Sequence, residues 1–390
     1  MATRKSKTSK RENAKSNTRS KAKSNAGRQD LHIQSDHNEV SAMTAVYNRR
    51  LLDAYGFATA FWIVSDEAEA HECVALLGRR EGTEIDDVQA WQVLPVDVKK
   101  SKQSTGKETD DPEAVARVGS WIYIFGSHFG SKSGPLDPER HFVARFNESL
   151  VKIKGDKLKL GMDVCRVPFA LHRAVNDAIA QRDVALIPTG PNLRANYIRA
   201  TIDKIESDGS KWRDRLHHSD RPINIEGVCF LPNGRLLVGL RYPVTAEGHP
   251  ILDEIDGIDR LFEKHGEKHF GRLKATRLFV LKNVGTEDKP SGFRALIQRG
   301  HHIYAVTGDL DSDPDESQVL TDHPQGFDAP NAYHVFRIED SADYGVVELE
   351  AETRHVFHDH DNVEAVAVMD DDTVWFAHDD EQIWLTKLPE

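Results

Sequence analysis

The chain has 390 residues, with 51 Lys and Arg against 63 Asp and Glu, so its formal net charge is −12. This length allows one large core or two domains. No apolar run approaches the length of a membrane span, and the basic N-terminus lacks the apolar stretch of a secretory signal. Three widely spaced cysteines, Cys73, Cys165 and Cys229, show no metal-ligand spacing. We expect them to be buried thiols of a cytoplasmic protein.

Residues 1–28 differ from the rest of the chain in charge. They contain ten Lys and Arg and one Glu, with no aromatic and no β-branched aliphatic residue. Such a segment cannot bury enough surface to offset the entropy of ordering, so we predict a disordered basic tail. The tail could contact nucleic acid or acidic surfaces non-specifically, although no nucleic-acid-binding motif accompanies it. The favoured interpretation is a solvated tail that aids solubility or folds back on the acidic body.

Strand-like runs dominate the remaining residues. The run 31–34 comes first, and five pairs of runs follow, beginning near Val40, Asp111, Asn224, Gly292 and Asn362. At least one further strand-like run follows each pair. Short strands that repeat as four-strand units, with turn signals between them, are typical of a β-propeller. The sequence therefore predicts an all-β fold, a propeller of about five blades over residues 29–390, with room for a sixth blade in the inserts.

The end of the chain indicates how the ring closes. After Glu364 only three strand-like runs remain, so the run 31–34 is predicted to complete the last blade. Pairing the first and last strands closes such a ring without free edges. Inserts are predicted near residues 150–220 and 250–272. Within them, apolar spacings of three and four predict helices over residues 164–180 and 251–264.

The hairpin at residues 224–243 shows the repeat most clearly, because Leu-Pro-Asn-Gly turn chemistry joins two apolar runs. Glu226 near its start and Arg241 at its end are fifteen positions apart. The same spacing separates Glu113 from His128, Arg294 from Asp309, and Glu364 from Asp379. The first strand of a blade leaves one face and the second returns to it, so each pair should lie at one mouth of the channel. Charged loops at the same end are 66–67, 110–111, 127–140, 309–316 and 355–361.

Several carboxylates near a channel axis are costly unless they are paired or bind a cation. Two interpretations follow. In the first, which is slightly favoured, Glu113, Glu226 and Glu364 accept hydrogen bonds or pair with Arg241 and Arg294, and so hold the blades in register. In the second, they coordinate Ca²⁺ or position a ligand. The varied residues at the ends of the second strands are typical of a site.

Three stretches carry a resemblance to a known family: DPEAVARVGSWIYIFGSHFG, NIEGVCFLPNGRLLVGLRYP and NVEAVAVMDDDTVWFAHDDE. With the later Pro-Glu-Arg, they resemble the bacterial family catalogued as domain of unknown function 3616, from about residue 31 to the C-terminus. The resemblance implies a β-propeller-like protein and no particular activity. The Glu-Gly hairpin is more remotely similar to esterase-like phytase and gluconolactonase-type propellers, in which a central Ca²⁺ or carboxylate-rich mouth serves ester or lactone hydrolysis. Ala114 and Ala365 depart from the Gly of that motif.

Candidate roles can be assigned to individual side chains. Glu113 and His128 are the acid–base candidates, since both are expected at the mouth. The candidates for ligand binding are Glu226, Arg241, Arg140 and Arg294, whose arginines suit a phosphate or carboxylate. The candidates for holding Ca²⁺ or another divalent cation are Glu364, Asp379 and His360, because a His- and Asp-rich stretch leads into Glu364.

Together these assignments predict a protein that binds a small anionic or metal-bridged ligand at one mouth of the channel. Hydrolysis of an ester, lactone or phosphoester is the candidate reaction. The alternative is a non-catalytic propeller scaffold that binds a partner protein. Neither prediction involves a membrane.

Overall fold

A computed structural model of the chain describes residues 28–35, 39–66, 68–101, 108–155, 157–210, 212–263, 273–339, 345–357, 362–380 and 382–388. The predicted basic tail lies outside these residues, apart from Arg28. The described part is mainly β-structure, and its strands form five units of four main strands each, which we call blades I to V; one blade has an additional short strand.

The strands follow one another blade by blade, preceded by β1 (Gln29–Ile33). Blade I contains β2 (Val40–Ala45), β3 (Phe57–Ser65), β4 (Val74–Arg80) and β5 (Trp91–Lys100). Blade II contains β6 (Pro112–Val118), β7 (Trp121–Gly126), β8 (Phe142–Asn147), the short β9 (Lys152–Lys154) and β10 (Lys157–Arg166). Blade III contains β11 (Asn224–Phe230), β12 (Leu236–Tyr242), β13 (Ile251–Asp256) and β14 (Lys274–Lys282). Blade IV contains β15 (Gly292–Arg299), β16 (His302–Gly308), β17 (Ala332–Phe336) and β19 (Glu352–Val356), with β18 (Val346–Glu350) pairing with β14 instead. Blade V contains β20 (Val363–Val368), β21 (Val374–His378) and β22 (Ile383–Leu388).

The blades form a closed ring, which confirms the propeller. Their inner strands β2, β6, β11, β15 and β20 contact one another in this order, and β20 also contacts β2. The first strand closes the ring as predicted: β1 pairs antiparallel with β22, with Leu31 opposite Leu385. The closing strand thus gives blade V its fourth strand and covers an edge that would otherwise be exposed.

The core lies in the seams between neighbouring blades. Each of the five seams holds one cluster of buried apolar side chains, so the seams rather than the channel supply most of the hydrophobic burial. Alternation along a strand sends neighbouring side chains to opposite seams. In β3, Trp62 faces blade II, whereas Phe61 and Ile63 face blade V. Between the inner strands the channel is lined mainly by small and aliphatic side chains, among them Ala114, Ala295 and Ala365, and polar side chains gather at its mouth.

Four α-helices are present among the described residues: α1 (Arg49–Tyr55), α2 (Ala170–Gln181), α3 (Ala200–Ser207) and α4 (Gln318–Asp322). A π-helical segment, Leu193–Arg199, leads into α3. The predicted helix at 164–180 is confirmed from Ala170 onward, while its first residues belong to β10. The insert between β10 and β11 packs against Phe129, Tyr242 and Leu310 at one end of the channel. No described helix combines the length and the apolar character needed to cross a membrane.

The helix predicted over residues 251–264 is wrong. Residues Ile251–Asp256 form β13, and Ile258–Phe262 form a short 3₁₀ helix. The first five residues of β13 are all buried, because both faces of this strand meet other parts of the protein. A strand buried on both faces loses the apolar–polar alternation that distinguishes it from a helix. The expected insert at 250–272 therefore begins with a strand of blade III, and its residues 264–272 lie outside the described residues.

Candidate functional site

The mouth cavity is a polar chamber of about 880 Å³ at the end of the channel where the inner strands begin. Nine carboxylates line it: Glu39, Asp66, Asp111, Glu113, Glu226, Asp311, Glu316, Glu364 and Asp379. Among the described residues, its cationic lining consists of Lys132, Arg140 and Arg241. This excess of carboxylates makes the chamber attractive to cations.

A β-bulge at one position of every inner strand underlies the fifteen-residue repeat. The register shifts at Ser41, Glu113, Glu226, Arg294 and Glu364. A bulge adds one unpaired residue to one strand and changes the direction of its side chain. Four of the five bulged residues have ionisable side chains, so the bulges place ionisable groups at the mouth end of the channel.

Arg241 joins blade III to blade IV in the wall of the mouth cavity. Its Nη1 donates to Glu226 Oε1 at 2.7 Å, and its Nη2 donates to Asp309 Oδ1 at 2.5 Å. Its Nε donates to the backbone carbonyl of Asp309 at 3.1 Å. Because the side chain is almost fully buried, these contacts hold the guanidinium in one place.

Arg294 extends this network to blade V. It is fully buried, and its Nη1 donates to Asp309 Oδ1 at 2.8 Å. Its Nη2 donates to Glu364 and, at 2.5 Å, to Asn362 Oδ1. Its Nε lies 3.5 Å from Glu226. The pairing of Glu226 and Glu364 with Arg241 and Arg294 is therefore present, as the first interpretation of the repeat required.

Asp66, Asp111 and Glu113 form an acidic triad on the side of the mouth cavity that blades I and II provide. One oxygen of each carboxylate lies within 4.8 Å of an oxygen of each of the other two. Arg140 Nη1 lies 2.8 Å from Asp111 Oδ1 and orients this carboxylate. Within the part of the chain that the structure describes, the Glu113 carboxylate has no hydrogen bond and no ion pair. The triad is thus suited to holding a cation.

Burial raises the pKa values of three carboxylates in the mouth cavity. Burial raises the pKa of Glu113 well above its usual range, and the charges of Asp66 and Asp111 raise it further. Burial also raises the pKa of Asp111, against the opposing effect of Arg140. Burial raises the pKa of Glu364 to about 8, although Arg294 favours its ionised form. A cation bound among these groups would displace their protons.

His128 lies outside the lining of the mouth cavity, whereas the adjacent Ser127 lies within it. The His128 ring is fully buried and packs edge-on against His141, with 4.8 Å between ring centroids. Burial lowers the pKa of His128 to about 3, so the ring is neutral at physiological pH. The acid–base pair of Glu113 and His128 stays a prediction, and no contact in the described residues supports it.

The predicted ligand-binding arginines all contact carboxylates. Arg241 and Arg294 are engaged as described, and Arg140 lies 3.2 Å from Asp110 in addition to its contact with Asp111. Because the guanidinium groups of all three arginines already contact carboxylates of the protein, the excess of carboxylates gives the site a negative charge.

Two of the three predicted metal ligands lie in the mouth cavity, on blade V, which adjoins blade I in the ring. Glu364 and Asp379 both line the cavity, and Asn362 Nδ2 donates to Asp379 Oδ2 at 3.0 Å. His360 lies outside the described residues. The role of this group in metal binding stays a prediction.

The sequence placed residues 66–67 and 110–111 at the mouth but gave no role to Asp66 or Asp111. Their proximity arises between two blades: β3 ends just before Asp66, β6 begins just after Asp111, and these strands contact each other. A sequence signal could have identified the triad. It is an acidic residue directly after the second strand of one blade, together with acidic residues at the beginning of the next blade.

No family model and no curated protein matches the chain. Solved structures of similar shape include an oxidoreductase (glucose dehydrogenase) from Thermus thermophilus, with 10% identity, a TM-score of 0.38, and coverage of 93% of this chain and 100% of that one. A mannose phosphorylase from Leishmania mexicana, in complex with phosphate ion, has 11% identity, a TM-score of 0.36, and coverage of 92% and 86%. Similarity at this level carries no argument about what the chain binds, and membership of the family that it resembles stays a prediction.

Proposed function

We propose that the protein binds a divalent cation, Ca²⁺ first among the candidates, through Asp66, Asp111 and Glu113. The supporting observation is the approach of the three carboxylates to within 4.8 Å of one another. Ca²⁺ takes six to eight oxygen ligands at about 2.3–2.6 Å, so two oxygens on one ion lie at most about 5 Å apart. The flexible coordination of Ca²⁺ also tolerates unequal carboxylate positions better than the strict octahedron of Mg²⁺.

The cation would in turn hold a small anionic ligand in the mouth cavity. Without it, the nine lining carboxylates would repel an anion, and the arginines already contact carboxylates. A metal-bridged ligand therefore fits the cavity better than an anion bound directly by arginine. Ser127, Ser131 and Ser133 line the same chamber, and their hydroxyl groups would orient the ligand.

Hydrolysis is the reaction that we propose for this ligand. A bound divalent cation polarises the carbonyl or phosphoryl oxygen of an ester, lactone or phosphoester. The chain's own contribution would be to position the ligand: Arg140 fixes Asp111, and the loop containing Ser131 is held by a hydrogen bond from Tyr197 Oη to the Ser131 carbonyl at 2.6 Å. A preorganised site of this kind reduces the entropic cost of reaching the reacting geometry.

The free, buried state of Cys73, Cys165 and Cys229 supports the further proposal that the protein works in a reducing compartment such as the cytoplasm.

We also propose that the basic tail contacts acidic surfaces. The test of this role compares the full chain with a chain that begins at Arg28, by their retention on an anionic resin at two salt concentrations.

Calorimetric titration of EDTA-treated protein with Ca²⁺, Mg²⁺ and Zn²⁺ tests the cation site. We expect Ca²⁺ to bind, and Asp111→Asn to weaken binding at least about tenfold, because one charged ligand is lost. Asp97→Asn is the matched control: this exposed carboxylate on β5 pairs with Lys159 far from the triad. Absence of binding for every cation, or equal effects of the two variants, would sink the proposal.

The hydrolytic part is tested separately with p-nitrophenyl acetate, a δ-lactone and p-nitrophenyl phosphate. We expect turnover of at least one substrate that EDTA abolishes and added Ca²⁺ restores. Turnover that survives EDTA contradicts metal assistance. If no substrate turns over while calorimetry shows cation binding, hydrolysis is wrong and the cation site stands.

A further inference from the structure

The seam between blades IV and V is the least filled of the five. Its buried apolar cluster is the smallest among the described residues, and a cavity of about 480 Å³ opens there. His302 and Asp372 on its rim belong to hairpin turns at the end of the blades away from the mouth. This seam cavity is therefore separate from the mouth cavity.

Two tyrosine rings form the wall of the seam cavity. Tyr304 on β16 and Tyr333 on β17 lie with their planes within 12° of parallel and their ring centroids 6.4 Å apart. Val335, Val374 and Leu388 complete an apolar surface. Aromatic faces beside aliphatic side chains suit a planar, unsaturated ligand.

Arginine side chains lie around the rim of the seam cavity, and carboxylates accompany them. Arg354, His302 and His355 line it, and Arg337 Nε donates to His302 Nε2 at 2.8 Å. Asp372, the acidic residue of the lining, contacts Arg299 at 3.1 Å. Arg354 is half exposed, and its partner Glu352 is more exposed still, so solvent weakens that pair. Arg354 is therefore the guanidinium of the cavity lining that an anionic ligand group can reach.

We propose that the seam cavity binds a planar aromatic anion of nucleotide size. Its volume lies within the range of about 300–1,000 Å³ that is usual for small-molecule pockets. The ligand's ring would stack on Tyr304, and its negative group would contact the Arg354 guanidinium, which suits phosphate and carboxylate. This site requires neither the cation nor the reaction proposed for the mouth.

Calorimetric titration of the protein with AMP in the presence of EDTA tests the proposal. Adenosine and ribose 5-phosphate, each of which is one half of AMP, are titrated in the same way. EDTA prevents metal-bridged binding at the mouth. We expect AMP to bind more tightly than either half-ligand, and Tyr304→Leu and Arg354→Gln each to weaken it about tenfold. Arg354→Gln should leave the affinity for uncharged adenosine unchanged, which separates loss of charge from misfolding.

Three outcomes would overturn the seam site. The first is absence of AMP binding up to about 10 mM, well above the range expected for a specific pocket. The second is an AMP affinity that neither seam variant changes. The third is loss of AMP binding in Asp111→Asn, which would place AMP at the mouth.

Discussion

The five bulged residues occupy the same place in their blades, yet their side chains do different things. Glu226, Arg294 and Glu364 join a buried network of ion pairs that connects blades III, IV and V. Glu113 instead faces Asp66 and Asp111. One repeated position thus supplies blade-to-blade contacts on one side of the channel and a cation site on the other.

Arg294 should be the most sensitive member of the network. Arg294→Met would leave Glu226, Asp309 and Glu364 with too little positive charge in a buried place, at a cost of about 3–5 kcal/mol in the free energy of unfolding. Urea denaturation measures this loss. Arg299→Met is the control, since Arg299 contacts Asp370 and Asp372, which are well exposed, and should cost about 1 kcal/mol or less. Equal losses would show that the network is not stabilising.

Asp253 carries a further prediction for a single residue. It is fully buried on β13, and burial raises its pKa well above the usual value of 3.8, with Glu254 adding to the shift and Arg182 opposing it. Its stabilising contribution is complete below the pKa of the unfolded chain and is lost as the pH rises through the folded pKa. Asp253→Asn cannot ionise, so its melting temperature relative to wild type should rise between pH 5 and pH 8. A constant difference across these pH values would contradict the prediction.

Among the elements, β1 closes the ring by giving blade V its fourth strand. Leu31 is buried in the seam between blades V and I, so Leu31→Ala should cost about 2–5 kcal/mol. Ile153→Ala on the short strand β9 of blade II is the control, since Ile153 is 36% exposed, and it should cost much less. Thermal unfolding compares them. A small effect of Leu31→Ala would mean that blade V is stable without its fourth strand.

Elements with a repeated turn and a clear alternation could be predicted from the sequence, and those buried on both faces could not. The hairpin of β11 and β12 was identified from its turn and apolar runs, and β1 was placed from the missing strand of the last blade. The strand β13 was mistaken for a helix because its burial on both faces removes the period of two. The bulges were visible only as a constant spacing, since a bulge is a property of two paired strands.

The candidate site was located by the same reasoning but only partly assigned. The mouth was found because both ends of each hairpin meet there, whereas the triad depends on which blades are neighbours. Ser127 and His128 show the limit: both follow the end of β7, and His128 has a left-handed backbone with a φ of 59°. Ser127 lines the cavity, whereas His128 does not. His128 is thus adjacent in sequence to a residue that lines the mouth cavity but does not line the cavity itself.

For the whole molecule, the charge of the mouth cavity predicts how cation binding depends on pH. The pKa values of Glu113 and Asp111 are raised by burial, so these groups keep protons that the cation must displace. Ca²⁺ affinity should therefore increase as the pH rises from 5 to 8. Calorimetry in two buffers of different ionisation enthalpy should detect proton release on binding. An affinity independent of pH would contradict the raised pKa values.

The most direct measurement is the position of a bound cation in crystals of the protein grown with Mn²⁺ as an anomalously scattering substitute for Ca²⁺. The cation site at the mouth predicts one strong anomalous peak within about 2.5 Å of carboxylate oxygens of Asp66, Asp111 and Glu113. In Asp111→Asn crystals prepared in the same way, the peak should be lost or much weaker. A peak elsewhere, or no peak at the triad with Mn²⁺ in excess, would contradict the central claim.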